Sequence, residues 1–421
     1  MTPVVSIASL IALLGLPLFL VLSLFALIGF SSESLPHSIY FAELMRLAGN
    51  PTLIAIPFFT LGGFVLAESK APERLIRLAR ALLGWMPGGL GVVTVLVMAL
   101  LTSFTGASGV TIIALGGLML PALVKGGLGE RFSLGLITTS GSIGLLFPPS
   151  LPLILYGVVS ETPIEKLFLG GMLPGILMVA GMAALSIYQG VKKGQVKDFE
   201  KVSILSAVKA AIWEIPLPIV VVGGIYGGYF TATEAAVITV VYVLFVEVFI
   251  TKDVAIRALP KIMQETTVLV GGILLIIGSA LALTNYLVFV DAPSILLTWI
   301  EATLTSKFSF LLALNIFLLI VGSLMDIFSA LVVVVPLISP LAMRYGVDPV
   351  HLGIIFLANL ELGYNHPPMG MNLFISSFRF NKPIVEVIIA AIPFLILHLL
   401  ILGIITYVPA LTLAPIAWFG Q

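Results

Sequence analysis

The stretch LITTSGSIGLLFPPSLPLILY, Leu136–Tyr156, decides how this chain folds. It is apolar enough to enter a membrane, yet it carries Thr138, Thr139, Ser140, Gly141, Ser142 and Gly144, followed by Pro148, Pro149 and Ser150. Two consecutive prolines remove two backbone donors and clash with the preceding turn, so a helix written across them breaks. In lipid, a broken backbone survives only where protein or a watery cavity satisfies its polar groups. Transporters use such interrupted segments to hold ions and substrates at mid-membrane.

An echo stands 219 residues further on: Asn359–Asn372, NLELGYNHPPMGMN, again leads small and polar residues into a Pro-Pro pair. At the same offset Pro121 meets Pro340, Lys125 meets Arg344, Gly127 meets Gly346, Gly144 meets Gly363 and Pro174 meets Pro393. One coincident pair of prolines is easy to find. A constant register over these positions predicts a two-fold internal repeat.

The 421 residues are 60% hydrophobic and 10% charged, where soluble domains carry roughly 25% charged residues, so the chain belongs in a lipid bilayer. A net charge of zero argues against a nucleic-acid partner. There is no cysteine, hence no disulfide, thiolate nucleophile or thiolate metal site. His37, His351, His366 and His398 form no HExxH helix, and no GxxxxGK[ST] loop is present. With neither a nucleophile–base pair nor facing metal ligands, the expectation is a protein that is not an enzyme and has no organic cofactor.

Spans of about 20 apolar residues predict an all-α polytopic protein with roughly ten to twelve crossings, two of them broken. Residues 1–191 form the first repeat, beginning with an uncharged segment read as a retained first helix. Residues 192–213 form a linker whose basic loop Lys192–Lys201 is placed in the cytoplasm by the positive-inside bias. Residues 214–421 form the second repeat. Ala81–Val124 is too long for one helix and is expected to break at SFTGASG, Ser103–Gly109. Ser69–Arg80, with Arg74, Arg77 and Arg80, reads as a solvated interfacial helix. Thr251–Glu265 reads as a polar connector, Val387–Gln421 as one last span, and Thr233 as an N-cap supported by Glu234.

Each repeat contains a small-residue break, a proline-bounded hairpin and a polar half-helix ending in Pro-Pro. Facing breaks offer carbonyl oxygens and hydroxyls to a hard cation, and half-helix amides to a carboxylate. The cation-site positions read from the repeat are Ser103, Gly144, Phe147 and Pro148, with Gly322, Gly363, His366 and Pro367 as their equivalents. Close helix packing is the alternative use of such glycines. Asp326 and Glu361 are acids in apolar sequence, and intramembrane acids are functional candidates. Asp326 either completes a cation site or caps a helix start. Glu361, with Asn359 and Asn365 beside it, could serve substrate, cation or proton, or be a satisfied interhelical bond. Ser108, Ser140, Ser142 and Ser150 complete the candidates for substrate or coupling.

The order and spacing of AIPFFTLGGFVLAES, GWMPGGLG, SFTGASG, LPALVKGG, TTSGSIGLLFPPSLPLILYG, LFLGGMLPG, YFTATEAA, GVDPVHLGII and ELGYNHPPMGMNLF resemble the large membrane subunit of TRAP (tripartite ATP-independent periplasmic) transporters, in the ion-transporter superfamily. The resemblance covers nearly the whole chain. It implies two inverted repeats with re-entrant hairpins working as an elevator in the bacterial inner membrane. It implies import of an organic acid (a C4-dicarboxylate, sialic acid or similar carboxylate) coupled to sodium ions. Its implied partners are a small four-helix membrane subunit and a periplasmic solute-binding protein. Family sodium positions carry over to Ser103, Gly144, Phe147 and Pro148, and to Gly322, Gly363, His366 and Met369. Two departures stand out: His366 where the family has Thr before Pro-Pro, and TATEA for TPTEA. The alternative is a stand-alone dicarboxylate or citrate carrier of the same superfamily, separated by its independence of a binding protein. A passive channel is a further alternative, which demonstrated accumulation against a gradient would rule out.

Overall fold

A computed structural model describes residues 16–194, 204–292, 298, 300, 303–367 and 369–419. No strand occurs among them. Among the described residues, eight helices are long and apolar enough to cross a membrane, nine if the pair Glu130–Leu146 and Leu151–Ser160, bent by 44°, is one more span. The expected ten to twelve is reached only by adding shorter apolar helices, Leu18–Ser32, Gly89–Thr105, Pro216–Tyr226 and Pro349–Gly363. Two of these are short because they stop at breaks: Gly89–Thr105 at Gly106, and Pro349–Gly363 just before the second proline pair.

Ten helices carry the repeat. In the first half they are α1 Gly89–Thr105, α2 Ser108–Lys125, α3 Glu130–Ser140, α4 Leu151–Ser160 and α5 Ile164–Lys192. In the second they are α6 Lys307–Leu324, α7 Ile327–Arg344, α8 Pro349–Gly363, α9 Met371–Phe380 and α10 Ile384–Tyr407. Helices α2 and α7 coincide residue for residue at the 219 offset. Both end in the same turn. The Leu128 amide bonds the Leu123 carbonyl at 3.2 Å, and that of Val347 bonds Ala342 at 3.0 Å. Between them stand Gly127 (φ 85°) and Gly346 (φ 67°), because only glycine takes this left-handed position without a Cβ penalty.

Past the proline pairs the register slips by one residue. Helix α4 starts at Leu151 and α9 at Met371, and α5 and α10 follow Pro163 and Pro383. Pro174 and Pro393, paired by a constant offset, therefore sit one helical position apart.

The repeats are inverted. Near the end of α4, the Tyr156 hydroxyl donates to the Pro349 carbonyl at the start of α8, at 2.9 Å. Just after α9, Lys382 pairs at 2.6 Å with Glu130, the first residue of α3. Each broken helix thus ends where the other begins, and the two run antiparallel. Packing is reciprocal: α2 lies on α9 and α7 on α4, while α3 lies on α10 and α8 on α5. Helix α8 is buried from Val350 to Gly363 and forms the centre of the core.

Outside the repeats, Ala55–Glu68 packs on Ala232–Leu244 and Leu18–Ser32 on Leu259–Phe289. Four expectations need correction. Thr231, not Thr233, caps its helix: its hydroxyl accepts from the Glu234 amide at 3.2 Å while Glu234 accepts from the Thr231 amide at 2.8 Å. Thr233 instead reaches the Pro51 carbonyl at 3.3 Å. The polar connector ends early, because Pro260 at the first turn lets the 31-residue helix Leu259–Phe289 begin there. The last span breaks after Tyr407, where Pro409 ends the helix and Ala410–Phe419 follows. Finally, Arg74 is not solvated. It is held by Glu214, Asp253 and, at 3.0 Å, both oxygens of Glu247. Most of the basic loop Lys192–Lys201 lies outside the described residues.

Candidate functional site

The local sequence opens both broken helices. Pro148 and Pro149 cannot donate to the carbonyls of Gly144 and Leu145, so the chain tightens into a 3-10 turn, Ile143–Leu146. It then runs extended through Phe147 (φ −98°, ψ 142°) to Ser150 (φ −86°, ψ 127°). In the second repeat Gly363 is followed by the turn Tyr364–His366 and the next helix starts at Met371. The Phe147 amide bonds the Gly144 carbonyl at 3.1 Å, and the His366 amide bonds the Gly363 carbonyl at 3.1 Å. His366 therefore occupies the structural place of Phe147.

Each turn is pressed against the break of its own hairpin. A Cβ on Gly144 would stand 2.2 Å from the Ala99 carbonyl oxygen and 2.8 Å from the Ser103 amide. A Cβ on Gly363 would stand 2.4 Å from the Gly322 carbonyl carbon. The structure thus joins Ser103 to Gly144 and Gly322 to Gly363, two equivalent pairs. The Ser103 hydroxyl donates to Leu100 at 2.8 Å, leaving its oxygen lone pairs to accept or coordinate. Pro148 is buried and Phe147 packs its ring on Gly175. Met369 is not drawn in by its side chain, which is 59% exposed.

Between the two turns runs a buried chain of side-chain hydrogen bonds. Ser108, the first residue of α2, donates to Asn372 at 2.7 Å. Asn372 donates to Asn365 at 3.1 Å, and Asn365 donates to Ser142 at 2.9 Å and to the Glu361 carbonyl at 3.1 Å. The Ser142 hydroxyl lies 3.4 Å from that same carbonyl. Three sequence candidates, Ser108, Ser142 and Asn365, meet through Asn372. That residue closes the second proline stretch, and its signal was an amide at the start of an apolar helix. Thr102 was also missed: next to Ser103, it donates to the Gly141 carbonyl at 2.8 Å and so ties α1 to the first turn. Tyr364 was a third, its hydroxyl accepting the Ile327 amide at 2.7 Å.

Several candidates hold polar atoms in reserve. Among the described residues, both carboxylate oxygens of Glu361 and the hydroxyls of Ser140 and Ser150 are buried without a hydrogen-bond partner. The His366 Nδ1 is in the same condition. Buried polar groups are costly unless paired, so these atoms retain the capacity to bond a ligand, an ion or water. Asp326 is used locally: it accepts from the Phe328 and Ser329 amides, each at 3.0 Å, and from the Ser329 hydroxyl, as the N-cap of α7. Asn359 belongs to another network, donating to Asn315 at 2.6 Å, which in turn bonds Thr406. His351, beside it, bonds Thr412 and the Thr406 carbonyl.

Residues 4–411 match the family model described as the tripartite ATP-independent periplasmic transporter, DctM component. The chain is 35% identical over 383 residues to the C4-dicarboxylate TRAP transporter large permease protein DctM of Pseudomonas aeruginosa, covering 90% of this chain and 89% of that one. It is 34% identical over 362 residues to the isethionate TRAP transporter permease protein DctMQ of Oleidesulfovibrio alaskensis, covering 85% of this chain and 57% of that one. In fold it resembles the Alcanivorax borkumensis YdaH transporter, with a TM-score of 0.60 over 90% of this chain and 88% of that one, at 13% identity.

Proposed function

The chain belongs to the DctM component family of tripartite ATP-independent periplasmic transporters and is a multi-pass membrane subunit of that class; on that premise we propose that it imports an organic acid, such as a C4-dicarboxylate or a sialic acid, coupled to sodium. The observation that carries this reading is the crossing of two antiparallel broken helices at Ser142 and Glu361, with unpartnered polar atoms of Ser140 and Ser150 on one helix and of Glu361 on the other. A carboxylate brought to the level of Glu361 adds negative charge where lipid surrounds the protein, and each such charge is expensive there. Sodium at the two turns offsets it. One ion sits among the oxygens of Ser103, Gly144, Phe147 and Pro148, and one among those of Gly322, Gly363, His366 and the Met369 main chain. Ser140, Ser150, Asn365 and Glu361 face the substrate from the two half-helices.

The hairpins α1–α2 and α6–α7, with α3, α4, α8 and α9, move as one body against the remaining helices, carrying the site across as an elevator. A periplasmic solute-binding protein delivers the substrate and a small membrane subunit braces the fixed part, in the bacterial inner membrane. Uptake by proteoliposomes holding the chain, its small partner and the binding protein tests this, with radiolabelled organic acids and an imposed sodium gradient. Sodium-driven accumulation that requires the binding protein is expected. Uptake that persists without it overturns the tripartite reading in favour of a stand-alone carrier, and uptake driven only by a proton gradient overturns sodium coupling.

A further inference from the structure

Helices α2 and α9 start side by side, where Ser108 donates to Asn372 at 2.7 Å, and run on together: Ile375 lies over Gly109 and Phe380 over Gly116. In the last turn of α9 stands Arg379, whose Nε donates to the Ile113 carbonyl of α2 at 3.0 Å. Gly117 makes this bond possible. A helical side chain covers the turn before its own Cα, so a larger residue at 117 would screen the Ile113 carbonyl. A Cβ there would collide with Nη2 of Arg379. A basic residue in a last turn also offsets the helix dipole, but that role calls for no seat on a neighbouring helix. Nor does the side chain run past its helix end toward water, as a snorkelling arginine does. It lies level with the interior of α2, about 12–18 Å along that helix from Lys125.

Arg379 is exposed, and among the described residues no carboxylate pairs with it. Ile113, Leu118, Phe374 and Phe378 around it are exposed as well. A charge among apolar side chains at membrane depth is expensive unless it faces a water-filled passage, and such charges mark the routes of ions and substrates. With Nε engaged, the two Nη groups are left to take a carboxylate through parallel bonds. The second repeat lacks the device: at the repeat register Ile113, Gly117 and Arg379 answer to Val332, Pro336 and Val159. The cation therefore belongs to one face alone. Gln189, near the end of α5, donates to the Leu128 carbonyl in the turn after α2, at 3.3 Å. The end of α2 thus shares the face of the basic loop that follows α5, which the positive-inside bias puts in the cytoplasm.

We propose that Arg379, seated on Gly117 and the Ile113 carbonyl, is a carboxylate-binding subsite on the cytoplasmic exit of the transport path; the inference rests on the reading of the chain as an importer of organic acids. The chain has no cysteine, so Ile113→Cys supplies a single reporter beside the guanidinium. The full chain is held in nanodiscs of phosphatidylcholine. Modification of the thiol by two membrane-impermeant methanethiosulfonates, one anionic and one cationic, is followed by mass spectrometry. Both are expected to react, the anionic reagent faster. A unit charge about 4 Å away in water is worth about five-fold, so R379Q is expected to cut the anionic-to-cationic rate ratio at least about five-fold, and R379K to keep it. Succinate and N-acetylneuraminate are the probes. At least one is expected to slow the anionic reagent and to lose that effect in R379Q, while uncharged succinamide does nothing. A thiol that neither reagent reaches overturns the proposal, because it puts this face in lipid. So does a rate ratio indifferent to R379Q, or the absence of protection by either acid. None of these readouts needs transport. Wild-type chain without sodium-driven uptake overturns the importer reading alone, and labelling indifferent to Arg379 with uptake intact overturns this inference alone.

Discussion

Ser142 and Glu361 are the same residue of the repeat, 219 positions apart, and they touch: the Ser142 hydroxyl lies 3.4 Å from the Glu361 carbonyl. Two equivalent positions meet only at the axis that relates them. The crossing of the broken helices is therefore the pseudo-two-fold axis of the molecule, and the Ser108–Asn372–Asn365–Ser142 chain passes beside it. Replacing Ser142 by Ala orphans an amide proton of Asn365 in the core. That costs about 1–3 kcal/mol. Thermal unfolding in detergent is expected to show the loss and proteoliposome uptake to fall with it. Full stability and full uptake together would mean that this bond is incidental.

Gly144 and Gly363 are fixed by space. With a backbone atom 2.2 Å and 2.4 Å from their missing Cβ atoms, alanine at either forces the turn away from its hairpin. Overpacking of this kind costs about 1–3 kcal/mol or more. Gly403 is the control, having nothing within 4 Å of its Cβ position. Gly403→Ala is expected to be neutral or stabilising by up to about 1 kcal/mol. Equal melting temperatures for all three variants would contradict the close approach.

Asp326 is a cap in this structure. Asp326→Asn keeps an acceptor for the Phe328 and Ser329 amides, whereas Asp326→Ala loses it at about 0.5–2 kcal/mol. Asn is therefore expected to preserve both stability and the sodium dependence of uptake. A changed sodium dependence in the Asn variant with stability intact would assign the carboxylate to coupling as well.

Arg74 holds three carboxylates on segments far apart in sequence. Arg74→Ala leaves them together and unpaired, a loss of about 3–5 kcal/mol for a buried pair, lessened here by partial exposure of the guanidinium.

The same cluster gives a pH dependence. Desolvation raises the Glu214 carboxyl above the ordinary value, against the lowering effect of Arg74. A raised folded-state value means that Glu214 favours the fold below its unfolded pKa and that this contribution is lost as pH rises through the folded value. Removing Arg74 strengthens the raising. The melting-temperature gap between Arg74→Ala and wild type is thus expected to narrow as pH falls through the carboxylate range. A gap that widens would contradict the desolvated-carboxylate account.

The architecture was legible because lipid leaves few ways to break a helix. Pro-Pro preceded by small residues, written twice in register, announced both turns, the hairpins and the internal symmetry. What the sequence did not disclose was set by partners far along the chain. The arginine spacing of Ser69–Arg80 is that of a solvated helix, and nothing local says that Glu214, Glu247 and Asp253 close on Arg74. Thr231 and Thr233 are equally good caps by residue type, and only the backbone entering the helix chooses between them. Asn372 sits past the register slip, where the first repeat has Pro152, so the repeat gave it no polar counterpart.

The places where the repeat fails carry a consequence of their own. Asp326 stands where the first repeat has Ala107, which provides no side-chain cap, and the left-handed Gly106 is answered by the extended Met325. One hairpin tip is closed by a side-chain cap, and its twin has none. Here the two breaks differ in their side chains, so the symmetry of the backbone is not a symmetry of what an approaching solute would meet at the two tips.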